Sequence, residues 1–312
     1  MTKALIYGLI SSLFFSSTYI LNREMATANF AWQWSASLRF FIMLPILFIL
    51  LSKNKAYLPV LRSIRANIFS WILWSCVGFG FFYTSLCYAA SFGPAWLIAG
   101  AWQITIPAGA LLTPFFLAPS MVDGEIKQVY HKIPVKLLWT GLLIMLGVAL
   151  MLVHEATTVS FFMVLGVVIP VGVAAFAYPL GSRKILFKHG HDLNTLQRIF
   201  GMTLCSMPVW LILAGFEFYH ANLPPPSQII QAGTVAVFSG VIATLLLFEA
   251  ANMVKSNLSQ LAVIEATQAG EVVFTLIGGV VLFNDGLPDT YGWIGIGLVL
   301  IGMIVNSLVV RK

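Results

Sequence analysis

Charge is what this sequence has least of. Only 9% of its 312 residues are Asp, Glu, Lys or Arg, against roughly 25% in a soluble globular domain, which argues against a water-soluble enzyme or binding module. Cysteine is scarcer still: Cys76, Cys87 and Cys205 all fall inside apolar runs and no C-x-x-C spacing occurs. Neither a disulfide framework nor a structural zinc site is indicated, and the three read as small packing residues. The five histidines, His131, His154, His189, His191 and His220, lie in loops or at the ends of apolar runs. His189-Gly190-His191 is short and isolated and no H-E-x-x-H is present, so no metal site is expected. A Walker sequence is missing, which excludes ATP-driven transport by this chain alone. Gly295-Ile296-Gly297 lacks a third glycine and a preceding strand, so no dinucleotide site is read there. No cofactor is expected, and without His-Asp or Ser-His clusters no enzymatic activity either.

What is present is apolar surface. Hydrophobic residues make up 59% of the chain, and mean hydropathy is +0.92. Runs of about 18 or more apolar residues, the length needed to cross a bilayer, occur ten times: 4–21, 34–51, 69–90, 95–118, 134–153, 161–180, 195–216, 230–251, 257–283 and 290–310. The fold class expected is an all-α membrane protein of ten transmembrane helices, with the lipid bilayer as its first partner. A net charge of +6 would suggest nucleic acid if the chain were soluble, but its cations lie in short loops, and nucleic-acid binding is discarded. Loop by loop, one side collects 15 cations (Lys3, Lys53, Lys55, Arg62, Arg65, Lys127, Lys132, Lys136, Arg183, Lys184, Lys188, Arg198, Lys255, Arg311 and Lys312), while the other holds Arg23 alone. That bias places both termini in the cytoplasm of a multi-pass protein of the cytoplasmic (inner) membrane. Trp32 and Trp34 fit an interfacial belt. Ala26-Thr27-Ala28 resembles a signal-peptidase site but follows too long a run, with Asn22-Arg23-Glu24 between.

The chain also repeats itself. Tyr19 pairs with Tyr178 and Arg39 with Arg198 at one offset of 159; Trp139-Thr140-Gly141 matches Trp293-Ile294-Gly295 near the end of each half. The fourth and ninth runs align at an offset of about 162, with Gln103 opposite Glu265, Thr105 opposite Thr267 and Pro107 opposite Ala269. Two halves, 1–156 and 157–312, each hold five spans. An odd number forces the second copy upside down, the inverted-repeat logic of secondary transporters, whose sites form at the midplane between repeats. Pro107 and Gly270 interrupt backbone hydrogen bonding at matching levels and are expected as helix breaks at that site.

The run 257–283 carries the chemistry. At about 1.5 Å per residue Glu265 lies about 12 Å and Glu271 about 21 Å into a core about 30 Å thick. Glu265, Gln268, Glu271 and Thr275 share one arc of about 120°. Carboxylates at such depth are costly and face a bundle interior or wet cavity. Glu265 and Glu271 are therefore the expected proton or cation sites, the alternative being protonated acids holding helices together. Gln268, Gln103, Thr275, Tyr19, Trp102, Tyr178 and Asn22 are expected to line a substrate cavity, where ring faces can hold an organic cation; filling of the bundle core is the plainer role for any one aromatic. Arg39 and Arg198 are expected to snorkel to the headgroups rather than to gate or attract anions.

Five plus five spans, the Arg-containing motif opening spans two and seven (SLRFFIM and LQRIFGM), and Pro107 in span four resemble the ten-helix drug/metabolite transporter superfamily. FFSSTYILNR in the first span and VIEATQAGEVVFTLIGG in the ninth look most similar to the putative multidrug resistance efflux transporter family, related to the four-helix small multidrug resistance proteins. Those small proteins use a glutamate inside their first helix; here the first span has none in its interior and Glu24 stands at its outer end, so that carboxylate is not carried over. The resemblance implies a secondary active exporter of small molecules, hydrophobic organic cations or drugs, in exchange for protons by alternating access. The alternative with the same fold is an exporter or facilitator of amino acids or other metabolites, and a third is a membrane-embedded transferase. Two repeats in one chain remove the need for a dimer, so monomer and homodimer both stand.

Overall fold

Backbone groups in hydrocarbon have no water to bond, so an apolar chain must satisfy them within helices. The computed structural model describes residues 1–122, 125–130, 135–158, 161–189, 192–254, 263–264 and 266–309. It is predominantly helical. Two long helices, α1 (Thr2–Thr27) and α2 (Trp32–Ser52), are followed by the short α3 (Leu58–Ala66). A composite helix comes next: α4 (Ile68–Ser75), a π-helical stretch Cys76–Phe81, and α5 (Phe82–Ala89). Then α6 (Ala95–Trp102) and α7 (Thr105–Leu111) lead into a hairpin of β1 (Leu117–Val122) and β2 (Glu125–Tyr130), antiparallel with Leu117 opposite Tyr130 and Val122 opposite Glu125. The rest is α8 (Val135–Thr158), α9 (Phe161–His189), α10 (Thr195–Cys205), α11 (Met207–Tyr219), α12 (Pro226–Val235), a second π-helical stretch Ala236–Ala243, α13 (Thr244–Val254), α14 (Gly270–Phe283) and α15 (Thr290–Val309).

Among the described residues five helices are long and apolar enough to cross a membrane: Thr2–Thr27, Trp32–Lys55, Ile68–Ala89, Val164–His189 and Pro226–Val254. A sixth forms if α10 and α11, bent by 42°, count as one. Shorter apolar helices cover Ala95–Leu111, Leu138–Leu152, Thr267–Phe283 and Thr290–Asn306. The chain is a multi-pass membrane protein.

Several boundaries differ from the sequence expectation. The first helix continues past residue 21 and takes in Asn22, Arg23 and Glu24, because nothing breaks it before Asn29, whose left-handed φ of 57° turns the chain. The fourth span does not run helically from 95 to 118. It breaks after Trp102, and beyond a 3-10 turn at Thr113–Phe115 the chain is strand. Pro107 explains the first break: it has no N–H to give the carbonyl four residues back, at Gln103, which instead accepts from Ile106 at 3.0 Å. Pro208, near the start of α11, likewise has no N–H to give the Leu204 carbonyl, and a 42° bend falls between α10 and α11.

The tightest seam joins α8 to α15. A Cβ on Gly295 would stand 2.5 Å from the Gly147 carbonyl oxygen, and one on Gly147 2.7 Å from that of Gly295. Two backbones touch there because neither carries a side chain, the usual device of membrane helix packing. Thr140 Oγ1 donates to Asn306 Oδ1 at 2.6 Å beside it. Elsewhere the core is aromatic: Phe40 stacks on Trp210 at 4.1 Å and 10°, with Tyr83 edge-on to Phe40 at 5.6 Å.

Candidate functional site

Between α1, α2, the two π-helical stretches, α9, α10 and α14 lies a cavity of about 350 Å³. Its deep wall is Tyr19 from α1, Phe79 and Phe82 from the first composite helix, Trp102 from the end of α6, and Glu271 from the first turn of α14. Phe82, Trp102 and Tyr178 form a ring cluster, with centroids 4.9 Å (Phe82 to Tyr178), 5.0 Å (Phe82 to Trp102) and 5.8 Å (Trp102 to Tyr178) apart. From there the lining runs along α9 past Ser182 and Arg183 to Thr195 and Arg198 in the first turn of α10. Asn194 and Gln197 cap that helix reciprocally, at 2.8 and 2.9 Å.

Glu271 is 8% exposed and accepts a hydrogen bond from Tyr19 Oη at 3.5 Å. Its position follows from the local backbone: a 3-10 turn at Thr267–Ala269 precedes α14, and Gly270 at the junction allows close approach, since a Cβ there would lie 2.6 Å from Ser12 Oγ.

Arg39, 9% exposed and midway along a buried stretch of α2, lines the same cavity. It does not snorkel as expected from sequence. Its Nη2 donates to Ser239 Oγ at 3.1 Å, in the second π-helical stretch, and its guanidinium lies 4.1 Å above the Tyr83 ring. Tyr83 in turn receives a hydrogen bond from Asn22 Nδ2 at 3.0 Å. The π-helical turns shift the helix face so that Ser239 and Phe79 point inward; such turns gather at functional sites.

The sequence candidates divide. Glu271, Tyr19, Trp102 and Tyr178 line the cavity together. Asn22 is buried one layer behind, on Tyr83. Gln268 faces α1, with its amide nitrogen 3.4 Å from the Gly8 carbonyl oxygen, and Gln103 Nε2 bonds back to the Ala99 carbonyl at 3.1 Å; neither is part of the lining. Thr275 is fully buried outside it. Pro107 packs against Gly141, where a Cβ would meet it at 2.6 Å. Glu265 lies outside the described residues. Sequence reasoning missed Phe79, Phe82, Arg183 and Ser239; only the pairing of Arg39 with Arg198 pointed towards a charged lining. Among the described residues no three His, Cys, Asp or Glu side chains gather as a metal site.

One end of the bundle is tied shut. Arg23 Nη1 bonds the Ala90 carbonyl at 3.0 Å, Trp34 Nε1 the Asn222 carbonyl at 2.6 Å, and Gln228 Nε2 the Ala31 carbonyl at 2.8 Å. Asp285, in the loop after α14, accepts from the Ala95 amide; burial pushes its carboxyl up from the ordinary range, while the Arg23 guanidinium and that amide oppose the shift. These ties lie at the end of the bundle opposite Thr195 and Arg198.

A family model described as EmrE, putative multidrug resistance efflux transporter, matches residues 2–312. The chain belongs to this family. It is thus a membrane transporter by family, and the helix-lined cavity is where such a protein would carry cargo. Among its relatives, the uncharacterized protein YjlA of Bacillus subtilis (strain 168) is 45% identical over 305 residues, 98% of this chain and 94% of that one. An uncharacterized 42.1 kDa protein from the intracellular alkaline protease 3' region of Shouchella clausii is 39% identical over 269 residues, covering 86% of this chain and 70% of its own. A solved crystal structure superposes with a TM-score of 0.63 over 100% of this chain and 98% of the other, at 12% identity, a likeness of fold alone.

Proposed function

We propose that this chain is a secondary active exporter of small amphipathic molecules, exchanging them for protons by alternating access, with Glu271 as the proton site. The observation that carries the reading is a buried carboxylate inside an aromatic cavity that is tied shut at one end and leads to Arg198 at the other. Glu271 holds a proton when the cavity is empty. A positive group on the cargo takes the proton's place, and exclusive occupancy couples the two movements. The hydrophobic organic cation suggested by sequence is one such cargo. A facilitator of other metabolites would not need a titrating group in the cavity, and a transferase would need catalytic clusters at one face.

Ten spans in two inverted halves, 1–156 and 157–312, form the frame of this reading. Three correspondences support it: π-helical stretches in the third and eighth spans, breaks in the fourth at Gln103 and in the ninth at Thr267–Ala269, and the pairing of the last span of each half at the Gly147–Gly295 seam. The cation bias supports a topology with the Arg198 end and both termini in the cytoplasm, and on that topology the cavity opens inward. Cysteines placed at Lys188 and at His220 should then be labelled from opposite sides; labelling of both from outside would sink the topology. For transport, luminal pH is followed in proteoliposomes made acid inside while candidate compounds are added outside. Proton efflux evoked by particular compounds in wild type and lost in Glu271→Gln is the expected result; efflux unchanged in the variant would rule out Glu271 as the coupling group.

A further inference from the structure

Charge in the cavity is unbalanced. The described lining holds three guanidinium groups, Arg39, Arg183 and Arg198, and one carboxylate, Glu271. Arg183 and Arg198 are half-buried and have polar partners: Arg183 Nη1 bonds the Gly109 carbonyl at 2.6 Å, and Arg198 Nη2 the Thr195 hydroxyl at 2.9 Å. Arg39 is different. More than nine-tenths buried, it spends one Nη on Ser239, and its Nε has no hydrogen-bond partner. No carboxylate stands within ion-pair distance of it among the described residues.

A buried, permanently charged guanidinium without a counter-ion is costly, and removing water from an N–H without replacing the bond adds to that cost. The planar fork of an arginine fits a carboxylate with two parallel bonds. The Tyr83 ring covers one face of the guanidinium at 4.1 Å and Ser239 holds Nη2, while the side chain as a whole forms part of the cavity lining, as Glu271 does. The approach is positive as well, through Arg198 and the first turn of α10, whose N-terminus carries the positive end of the helix dipole. The rest of the wall is Phe40, Phe79, Phe82, Trp102 and Tyr178, suited to an apolar or aromatic body.

We propose that the cavity binds a carboxylate-bearing amphiphile, its carboxylate on Arg39 and its apolar body against the Phe82–Trp102–Tyr178 cluster. This deepens the exporter reading and rests on it for the direction of movement, but not for binding. A cargo that also carries an ammonium group engages Glu271 with it, so a zwitterion and a plain carboxylate share the Arg39 subsite and differ at Glu271.

Three probes with one indole body separate the cases: indole-3-propionate, tryptophan and tryptamine, titrated calorimetrically into the purified detergent-solubilised protein with no gradient present. Indole-3-propionate or tryptophan should bind at least about tenfold tighter than tryptamine, a ratio set by one charge-assisted contact. Arg39→Gln should abolish that preference. Arg39→Lys keeps the charge in the bundle but loses the fork, so it should weaken carboxylate binding, and it serves where Arg39→Gln does not fold. Loss of tryptophan binding alone in Glu271→Gln would mark the zwitterion as the cargo. Tryptamine binding as tightly as the carboxylates, no binding of either carboxylate, or carboxylate binding indifferent to Arg39 would each overturn the proposal. The two readings fail separately. Carboxylate binding without any proton movement in vesicles sinks the exporter alone, while proton-coupled tryptamine flux without carboxylate binding sinks the Arg39 subsite alone.

Discussion

The α8–α15 seam and the cavity solve opposite problems with opposite residues. At the seam, Gly147, Gly295 and Gly302 carry no side chain, so the two backbones come into contact with Ile144, Met151 and Val299 packed beside them. Around the cavity, large rings from α1, α2, the first composite helix, α6, α9 and α13 line the walls and surround Arg39 and Glu271 with apolar surface. A membrane protein cannot draw helices together by excluding water, so rigidity comes from backbone contact, and space comes from side chains too big to close it. The part that holds the fold and the part that can change are thereby separated.

The largest effect expected on this contrast is at the cavity. Glu271→Gln should leave expression and the elution profile unchanged while reducing proton-coupled flux by about a hundredfold or more, as removal of a proton-transferring group does; equal loss of folded protein and flux would make the residue structural. Next comes the seam: Gly295→Val drives a Cβ towards the Gly147 carbonyl and should lower stability by about 1–3 kcal/mol or more, read as a fall in the detergent melting temperature. Whatever folded protein remains should keep its ligand preference. A seam variant that melts normally would show that the two helices can separate freely, and the contrast would break.

Smaller changes sharpen the picture. Gln228→Ala removes one tie at the shut end, at a cost of about 1 kcal/mol, and should raise labelling of cavity cysteines from that side by about fivefold. No change would mean that the remaining ties suffice. At the low end, Gln103→Ala and Thr275→Val, both outside the lining, should alter flux less than about threefold, within the range of conservative changes away from a site. A loss comparable with Glu271→Gln would extend the cavity beyond its present walls.

How much of this could be read beforehand varies residue by residue. The break at Gln103 falls where Pro107 withholds an N–H, but Pro45, Pro170 and Pro179 stand inside continuous helices, so a proline marks a candidate break that packing accepts or overrides. Glu271, Tyr19, Trp102 and Tyr178 were found because buried carboxylates and aromatics in long apolar runs are few enough to single out. Gln268 shares the arc of Glu271 on an ideal helix, but the 3-10 turn at Thr267–Ala269 breaks that helix between them and turns Gln268 towards Gly8. In the sequence Arg39 reads as a snorkelling group because its span begins only a few residues earlier. Nothing local says that Ser239, 200 positions away, will receive it.

Sequence alone determined that the chain is a membrane protein and which residues can lie in hydrocarbon, because these depend on transfer from water. Tertiary structure decided which polar groups share a cavity, that Arg39 lines it with Glu271 rather than reaching the headgroups, and which end carries the ties between helices. Those outcomes depend on which helices touch and how they are rotated. In an apolar solvent, rotation is set by close packing at glycines such as Gly78, Gly147 and Gly295, whose partners stand on other helices far along the chain.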